Sequence, residues 1–146
     1  AKLWRTGSGE CLRTLEGHQA KVNSASFSSD GQEVVTASSD NAARIWSTDT
    51  GACSLTLPHE SAVHGAFFSP DDFTVLSLSL DDNPRLWNAD TGECWCELGG
   101  HNGMVMQAAY AADGRTIATA CQDGTAALCG RRAGGACTSY EVTTRR

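Results

Sequence analysis

Apolar and polar positions along the chain fall into short runs separated by turn residues, the pattern of strands rather than helices. Over residues 17–57 the runs are Val22–Ser28, Glu33–Ser38, Ala42–Ser47 and Ala52–Leu57. Between them stand Ser29-Asp30-Gly31, Ser39-Asp40-Asn41 and Thr48-Asp49-Thr50-Gly51. The runs are rich in Val, Ile, Ala, Thr and Trp, which suit a pleated, packed surface. In the first run the apolar positions are Val22, Ala25 and Phe27. The same offsets return as Val63, Ala66, Phe68 and as Val105, Ala108, Tyr110. An interval of three and then two breaks strict alternation, which predicts a bulge early in that strand. Two further strands, Ala1–Arg5 and Glu10–Leu15, precede these runs.

The whole pattern repeats. Trp4, Trp46 and Trp87 recur at spacings of 42 and 41, and Cys129 stands where a further tryptophan would fall. His18, His59 and His101 keep the same period, as do Asp30, Asp71 and Asp113. So do Asp40, Asp81 and Asp123, and also Cys11, Cys53, Cys94 and Cys137. A four-stranded unit cannot cover both of its faces alone. Stacked as blades around an axis, each sheet covers the next and only short edges remain. The expected fold is therefore all-β, with propeller blades of four antiparallel strands. About three and a half are present, so the ring is incomplete: a partial blade at 1–16, blades at 17–57 and 58–99, and a degenerate blade at 100–146.

Gly17-His18, Ser29-Asp30-Gly31, Ser38-Ser39-Asp40 and Ile45-Trp46 resemble the repeat of the WD-repeat family. Gly100-His101, Asp113-Gly114 and Asp123-Gly124 keep that pattern, and Pro58-His59 and Leu86-Trp87 keep it with one change. The resemblance covers essentially the whole chain. It departs where Arg5, Ser47 and Asn88 replace the aspartate after tryptophan, and where Cys129 and Cys121 replace tryptophan and serine. No Gly-His pair follows Cys137. A family-typical ring of seven blades would need about twice this length at roughly 40–45 residues a blade. With no initiator methionine and only outer strands in its first unit, the chain is expected to be a segment of a longer one. A simple homodimer is not expected, because two copies would still lack the inner strands of each partial blade.

Each unit gathers a histidine, a hydroxyl and an aspartate, a set that invites a hydrolase reading. A catalytic triad occurs once per site, whereas this set recurs in register with the fold. The resemblance implies instead a buried brace of indole, hydroxyl, imidazole and carboxylate. Its members would be His18, Ser38 (or Thr36), Asp40 and Trp46, then His59, Ser79 (or Ser77), Asp81 and Trp87, then His101 and Asp123. No catalytic residue, metal site or cofactor is expected. The glycines have no phosphate-cradling spacing, and the Cys94/Cys96 pair lacks a second ligand pair nearby. The four cysteines that share a repeat position are expected to pack between blades as small apolar groups. Seven cysteines, an odd count without a secretory signal, favour reduced thiols.

With 17 acidic and 11 basic residues, the net charge of −6 argues against direct nucleic-acid binding. The pairs Arg131-Arg132 and Arg145-Arg146 are read as solvated loops. No apolar stretch approaches the roughly 18 residues of a membrane helix, so no membrane insertion is expected. Partners would meet loops at a ring face. By the resemblance, the contact positions are Lys21, Asn23 and Ser39, then Ala62, His64 and Leu80, then Met104, Met106 and Gln122. Both methionines could instead be buried at the central channel, and the pattern leaves this open. The expected function is a non-catalytic scaffold that presents propeller loops to other proteins or peptides in a multisubunit assembly. The expected setting is intracellular, cytoplasmic with the nucleus as alternative. The rival reading is a regulatory or sensing arm of a larger kinase or nucleotide-switch protein.

Overall fold

A computed structural model describes residues 1–81, 83–131 and 137–143, with side chains through residue 130. The side chains of Arg131 and Cys137, and residues Arg132, Arg145 and Arg146, lie outside what is described. Every element among the described residues is a strand. β1 (Lys2–Trp4) and β2 (Cys11–Thr14) form an antiparallel pair. The first four-stranded sheet runs β3 (Val22–Phe27), β4 (Glu33–Ser38), β5 (Ala42–Ser47) and β6 (Cys53–Pro58) in sequence order. The second contains β7 (Val63–Phe68), β8 (Thr74–Ser79), β9 (Arg85–Asn88) and β10 (Cys94–Glu97). The third contains β11 (Val105–Tyr110), β12 (Thr116–Cys121), β13 (Ala126–Arg131) and β14 (Cys137–Thr143). All pairings are antiparallel between successive strands, as up-and-down blades require. The described residues form three four-stranded blades and an outer pair, an open ring.

Alternation along the second strand of each blade explains the packing. In β4, Val35 and Ala37 point into a core shared with Val63, Ala66, Phe68 and Val75 of the next blade. The preceding Val34 points the other way, with Trp46, onto Leu3 of the outer pair and Leu15 just after it. In β8, Val75 joins the first of these cores while Leu76 and Leu78 join a third, with Val105, Ala108, Ile117 and Cys129. Both faces of these strands are buried because successive side chains point to opposite sides. That is why they read as near-continuous apolar runs.

Turn chemistry fixes the hairpins. Asp30 accepts the Ser28 hydroxyl at 2.7 Å and the Gln32 N–H at 2.9 Å, and Asp71 does the same for Ser69 and the Phe73 N–H. Gly31 closes its turn at φ 71°, where a side chain would be strained. The bulge anticipated in the first strand of each unit is present. Register shifts between Val22 and Ser24, Val63 and Gly65, and Val105 and Gln107. The residues expelled from the ladder are Asn23, His64 and Met106.

Candidate partner-binding face and its bracing network

Trp46 is a donor only, so its buried indole N–H needs an acceptor. It donates to Thr36 Oγ1 at 2.8 Å. With a neutral ring, the Thr36 hydroxyl donates to His18 Nε2 at 2.7 Å, and His18 Nδ1–H donates to Asp40 Oδ2 at 2.8 Å. The Gln19 N–H donates to the same carboxylate oxygen at 2.9 Å. Burial works against the Asp40 charge, but the Gln19 amide and the His18 ring outweigh it and hold the carboxyl below its usual range. Gly17 lets the chain pass under this assembly. A Cβ there would meet Arg44 Nη1 at 2.6 Å and Trp46 Cη2 at 3.2 Å, at a φ of 149°.

The hydroxyl in the brace is thus Thr36 and not Ser38, a correction to the first choice made from the sequence. Trp46 lies opposite Val34 on the neighbouring strand, so its indole reaches diagonally to Thr36. Ser38 lies two residues farther along the same face, roughly 7 Å away at strand rise. Ser38 Oγ instead accepts the Asp40 N–H at 3.2 Å. The second blade repeats this. Trp87 Nε1–H donates to Ser77 at 2.8 Å and Ser77 donates to His59 Nε2 at 2.7 Å, while Ser79 donates to Asp81.

The third member of the expected brace differs blade by blade. His59 Nδ1 faces the Leu57 carbonyl at 3.0 Å, and a carbonyl only accepts, so this nitrogen carries the proton. Asp81 is not its partner. Arg85 Nη1 lies 2.8 Å from Asp81 Oδ2 while Arg85 Nε donates to Glu97 at 2.8 Å, drawing the carboxylate away. In the third blade Thr125 stands between His101 Nδ1 (3.0 Å) and Asp123, whose Oδ2 lies 3.8 Å from that nitrogen. Hydrogen bonds from the Thr125 hydroxyl and the Asn102 N–H hold the Asp123 carboxyl well below its usual range.

These braces secure one end of the blades. There the Ser39 N–H donates to Lys21 O at 2.9 Å, Leu80 to Ala62 at 3.0 Å, and Gln122 to Met104 at 2.9 Å. Residues distant in sequence become neighbours at the same end of each blade. Lys21, Ser39 and Gln122 are exposed, and Leu80 and Met106 keep 49% and 54% of their surface open. Met104 and Ala62 are half-buried. Asn23 and His64 are committed elsewhere. Asn23 Nδ2 donates to Ser39 Oγ at 3.0 Å and to Val63 O at 2.9 Å, and His64 Nε2–H donates to Val105 O at 3.0 Å. Each bulged side chain clamps the first strand of the following blade. Met106, the third in the series, is exposed.

The repeat profile described as WD domain, G-beta repeat matches residues 9–47, 51–88 and 92–128, most of the chain. The chain belongs to the WD40 family. Human WD repeat-containing protein 86 is 43% identical over 51 residues, 35% of this chain and 14% of the relative. Eukaryotic translation initiation factor 3 subunit I of Scheffersomyces stipitis is 38% identical over 56 residues, 38% of this chain and 16% of the relative. Human pre-mRNA-processing factor 17 is 38% identical over 53 residues, 36% of this chain and 9% of the relative. The chain spans only a small part of the length of the curated relatives it matches.

Two further features of these WD40 blades correct sequence expectations. Cys11, Cys53 and Cys94 are exposed thiols rather than packing between blades. They begin the outermost strands of their sheets, which have no neighbour on one side. Cys96 is disulfide-bonded, so the thiols are not all reduced. No helix among the described residues is long and apolar enough to cross a membrane.

Burial of His59 drives its pKa from 6.5 down to about 4. The Leu57 carbonyl opposes this shift and the Arg85 charge assists it. The unfolded chain therefore takes up a proton that the native ring refuses. This contribution to stability should be complete above about pH 6.5 and should be lost as the pH falls towards 4. Ring-proton NMR should place the His59 midpoint near 4; a midpoint near 6.5 would mean that the ring is solvated.

Proposed function

We propose that this WD40 segment is a non-catalytic scaffold that presents the end bearing Lys21, Ser39, Leu80, Met104, Met106 and Gln122 to other proteins or peptides in a multisubunit assembly. The observation that carries this reading is the apolar exposure of Leu80 and Met106 among polar neighbours at one end of adjacent blades. Exposed apolar groups rimmed by polar residues favour a protein partner, and methionine adapts to varied surfaces. Asn23 and His64 enter as supports that hold the blades beneath that face. Against catalysis, His18, His59 and His101 each have both ring nitrogens within reach of fixed partners in the fold. The names of the relatives, a translation initiation factor subunit and a pre-mRNA-processing factor, suit an intracellular assembly.

The test is to isolate native particles containing the chain and weigh and identify their components. The wild type is compared with Leu80→Glu/Met106→Glu and with Phe73→Glu, which alters an equally exposed side chain at the opposite hairpin. Loss of stoichiometric partners from the first variant alone is the expected result. Equal retention by both variants, or a chain that runs alone in every sample, would sink the reading.

A further inference from the structure

The third blade differs from its predecessors at one position in the brace and one beside it. Cys121 stands where Ser38 and Ser79 stand, and Cys129 stands where Trp46 and Trp87 stand. The change at Cys121 sets a thiol beside the histidine and the turn aspartate. We propose that His101, Cys121 and Asp123 form a zinc-binding site, a site that neither of the other two blades can make.

Ligand atoms of these three residues all lie within 4.8 Å of one another. His101 and Cys121 are half-buried and Asp123 lies on an exposed turn, so the site opens to solvent on its carboxylate side. Zinc bonds of about 2.0–2.3 Å in a tetrahedron place neighbouring ligand atoms roughly 3.3–3.7 Å apart. His101 Nδ1 and Asp123 Oδ2, at 3.8 Å, already stand close to that span. Thiolate, imidazole and carboxylate are the donors this borderline-soft ion takes. Cys121 Sγ is now held by the Gly103 carbonyl at 3.1 Å and the Asp123 N–H at 3.4 Å, on the same turn as the carboxylate. Rotation of the Cys121 side chain, with withdrawal of the Thr125 hydroxyl from between His101 and Asp123, would complete the set and leave the fourth position for water or a partner's donor.

The partner of Nδ1 makes the imidazole available. In the first two blades the histidine Nδ1 faces a group that only accepts, the Asp40 carboxylate for His18 and the Leu57 carbonyl for His59. The proton then sits on Nδ1, which cannot ligate. In the third blade Nδ1 faces instead the Thr125 hydroxyl, 3.0 Å away, which can accept or donate. His101 Nε2 lies 2.7 Å from Thr119 Oγ1, which can accept Nε2–H while its own hydroxyl turns to the Ala127 carbonyl at 3.4 Å. Nδ1 is then a lone pair that the ion reaches once the Thr125 hydroxyl turns aside, and the second ring nitrogen is anchored as metal-bound histidines require. The Asn102 N–H, at 2.9 Å, remains on the Asp123 carboxylate and orients it.

Binding balances simply. The Cys121 S–H bond breaks, the sulfur-to-zinc bond forms and one proton leaves to solvent. The His101 ring stays neutral as its proton moves from Nδ1 to Nε2. The ion would tie the loop entering the blade to the turn before β13, the same two segments that a direct histidine–aspartate bond joins in the first blade. The sequence had weighed only Cys94 and Cys96 for metal, because Cys121 and His101 meet through the fold.

The experiment titrates the full chain with Zn2+ alone, then with Co2+ as a spectroscopic stand-in, for wild type and Cys121→Ser. That variant installs the residue the other two blades carry. One zinc per chain, a thiolate-to-cobalt charge-transfer band, and affinity weakened by roughly a hundredfold in the variant are expected, given that even outer-shell losses cost about 10–100-fold. Zinc should raise the melting temperature of the wild type and leave the variant's unchanged. Zinc affinity unaltered by Cys121→Ser but lost on changing Cys11, Cys53 and Cys94 would overturn the proposal. If Cys121→Ser does not fold, nitrogen-detected NMR of the wild-type histidines decides. Zinc must move His101 to the Nε2–H form, and a response confined to other histidines refutes the site.

Discussion

Trp46→Ala should lower the unfolding free energy by about 3–5 kcal/mol, the cost of removing a large aromatic that the core cannot refill. The indole is 1% exposed and lies against Leu15, Val34 and Leu3. It is the main apolar contact between the first full blade and the outer pair β1–β2. Its removal also takes from the Thr36 hydroxyl the N–H that anchors it beside His18. Domains are stable by only about 5–15 kcal/mol, so the loss is a large share of the total. Urea unfolding followed by circular dichroism measures it, with Trp4→Ala as the control. Trp4 is 56% exposed, and a surface change of that kind costs about 0.5 kcal/mol or less. Equal effects of the two substitutions would mean that the outer pair does not seat on the first blade.

Thr36→Val should cost more than Ser38→Ala. Valine keeps the shape of threonine but strands two buried groups, the Trp46 N–H and His18 Nε2, at about 1–3 kcal/mol each. Ser38→Ala gives up only a 3.2 Å bond from the Asp40 N–H and a 3.4 Å bond to the Ala20 carbonyl. These are longer bonds of the kind worth about 0.5–1.5 kcal/mol. Thr119→Val should be milder than Thr36→Val, since Cys129 offers no indole to be stranded. Chemical denaturation of the three variants gives the order. If Ser38→Ala proved the most damaging, the hydroxyl chain would run through the wrong residue.

Much of the fold was legible from local pattern. The recurrence of Trp46 and Trp87, His18, His59 and His101, and the turn aspartates marked the blades. The three-then-two interval of Val22, Ala25 and Phe27 marked the bulge. The site was legible in part. A signal for the correct hydroxyl was present, because Thr36, Ser77 and Thr119 carry one at the same repeat position in all three blades. The alternative position holds Ser38, Ser79 and then Cys121. The role of Asn23 and His64 as clamps had no such signal, because their acceptors, Val63 O and Val105 O, are backbone atoms of another blade.

The sequence by itself determined the strands, turns and repeating units of this WD40 chain, because side-chain period and turn preferences are properties of a few neighbouring residues. Only the tertiary structure decided which group orients each histidine: Asp40 for His18, the Leu57 carbonyl for His59, and Thr125 for His101. Arg44 and Arg85 hold the same place in their units, yet only Arg85 is paired with the aspartate four residues before it. There Glu97 of β10 helps to fix the guanidinium. Hydrogen-bond partners are chosen by distance and competition across strands, and strand period does not encode these.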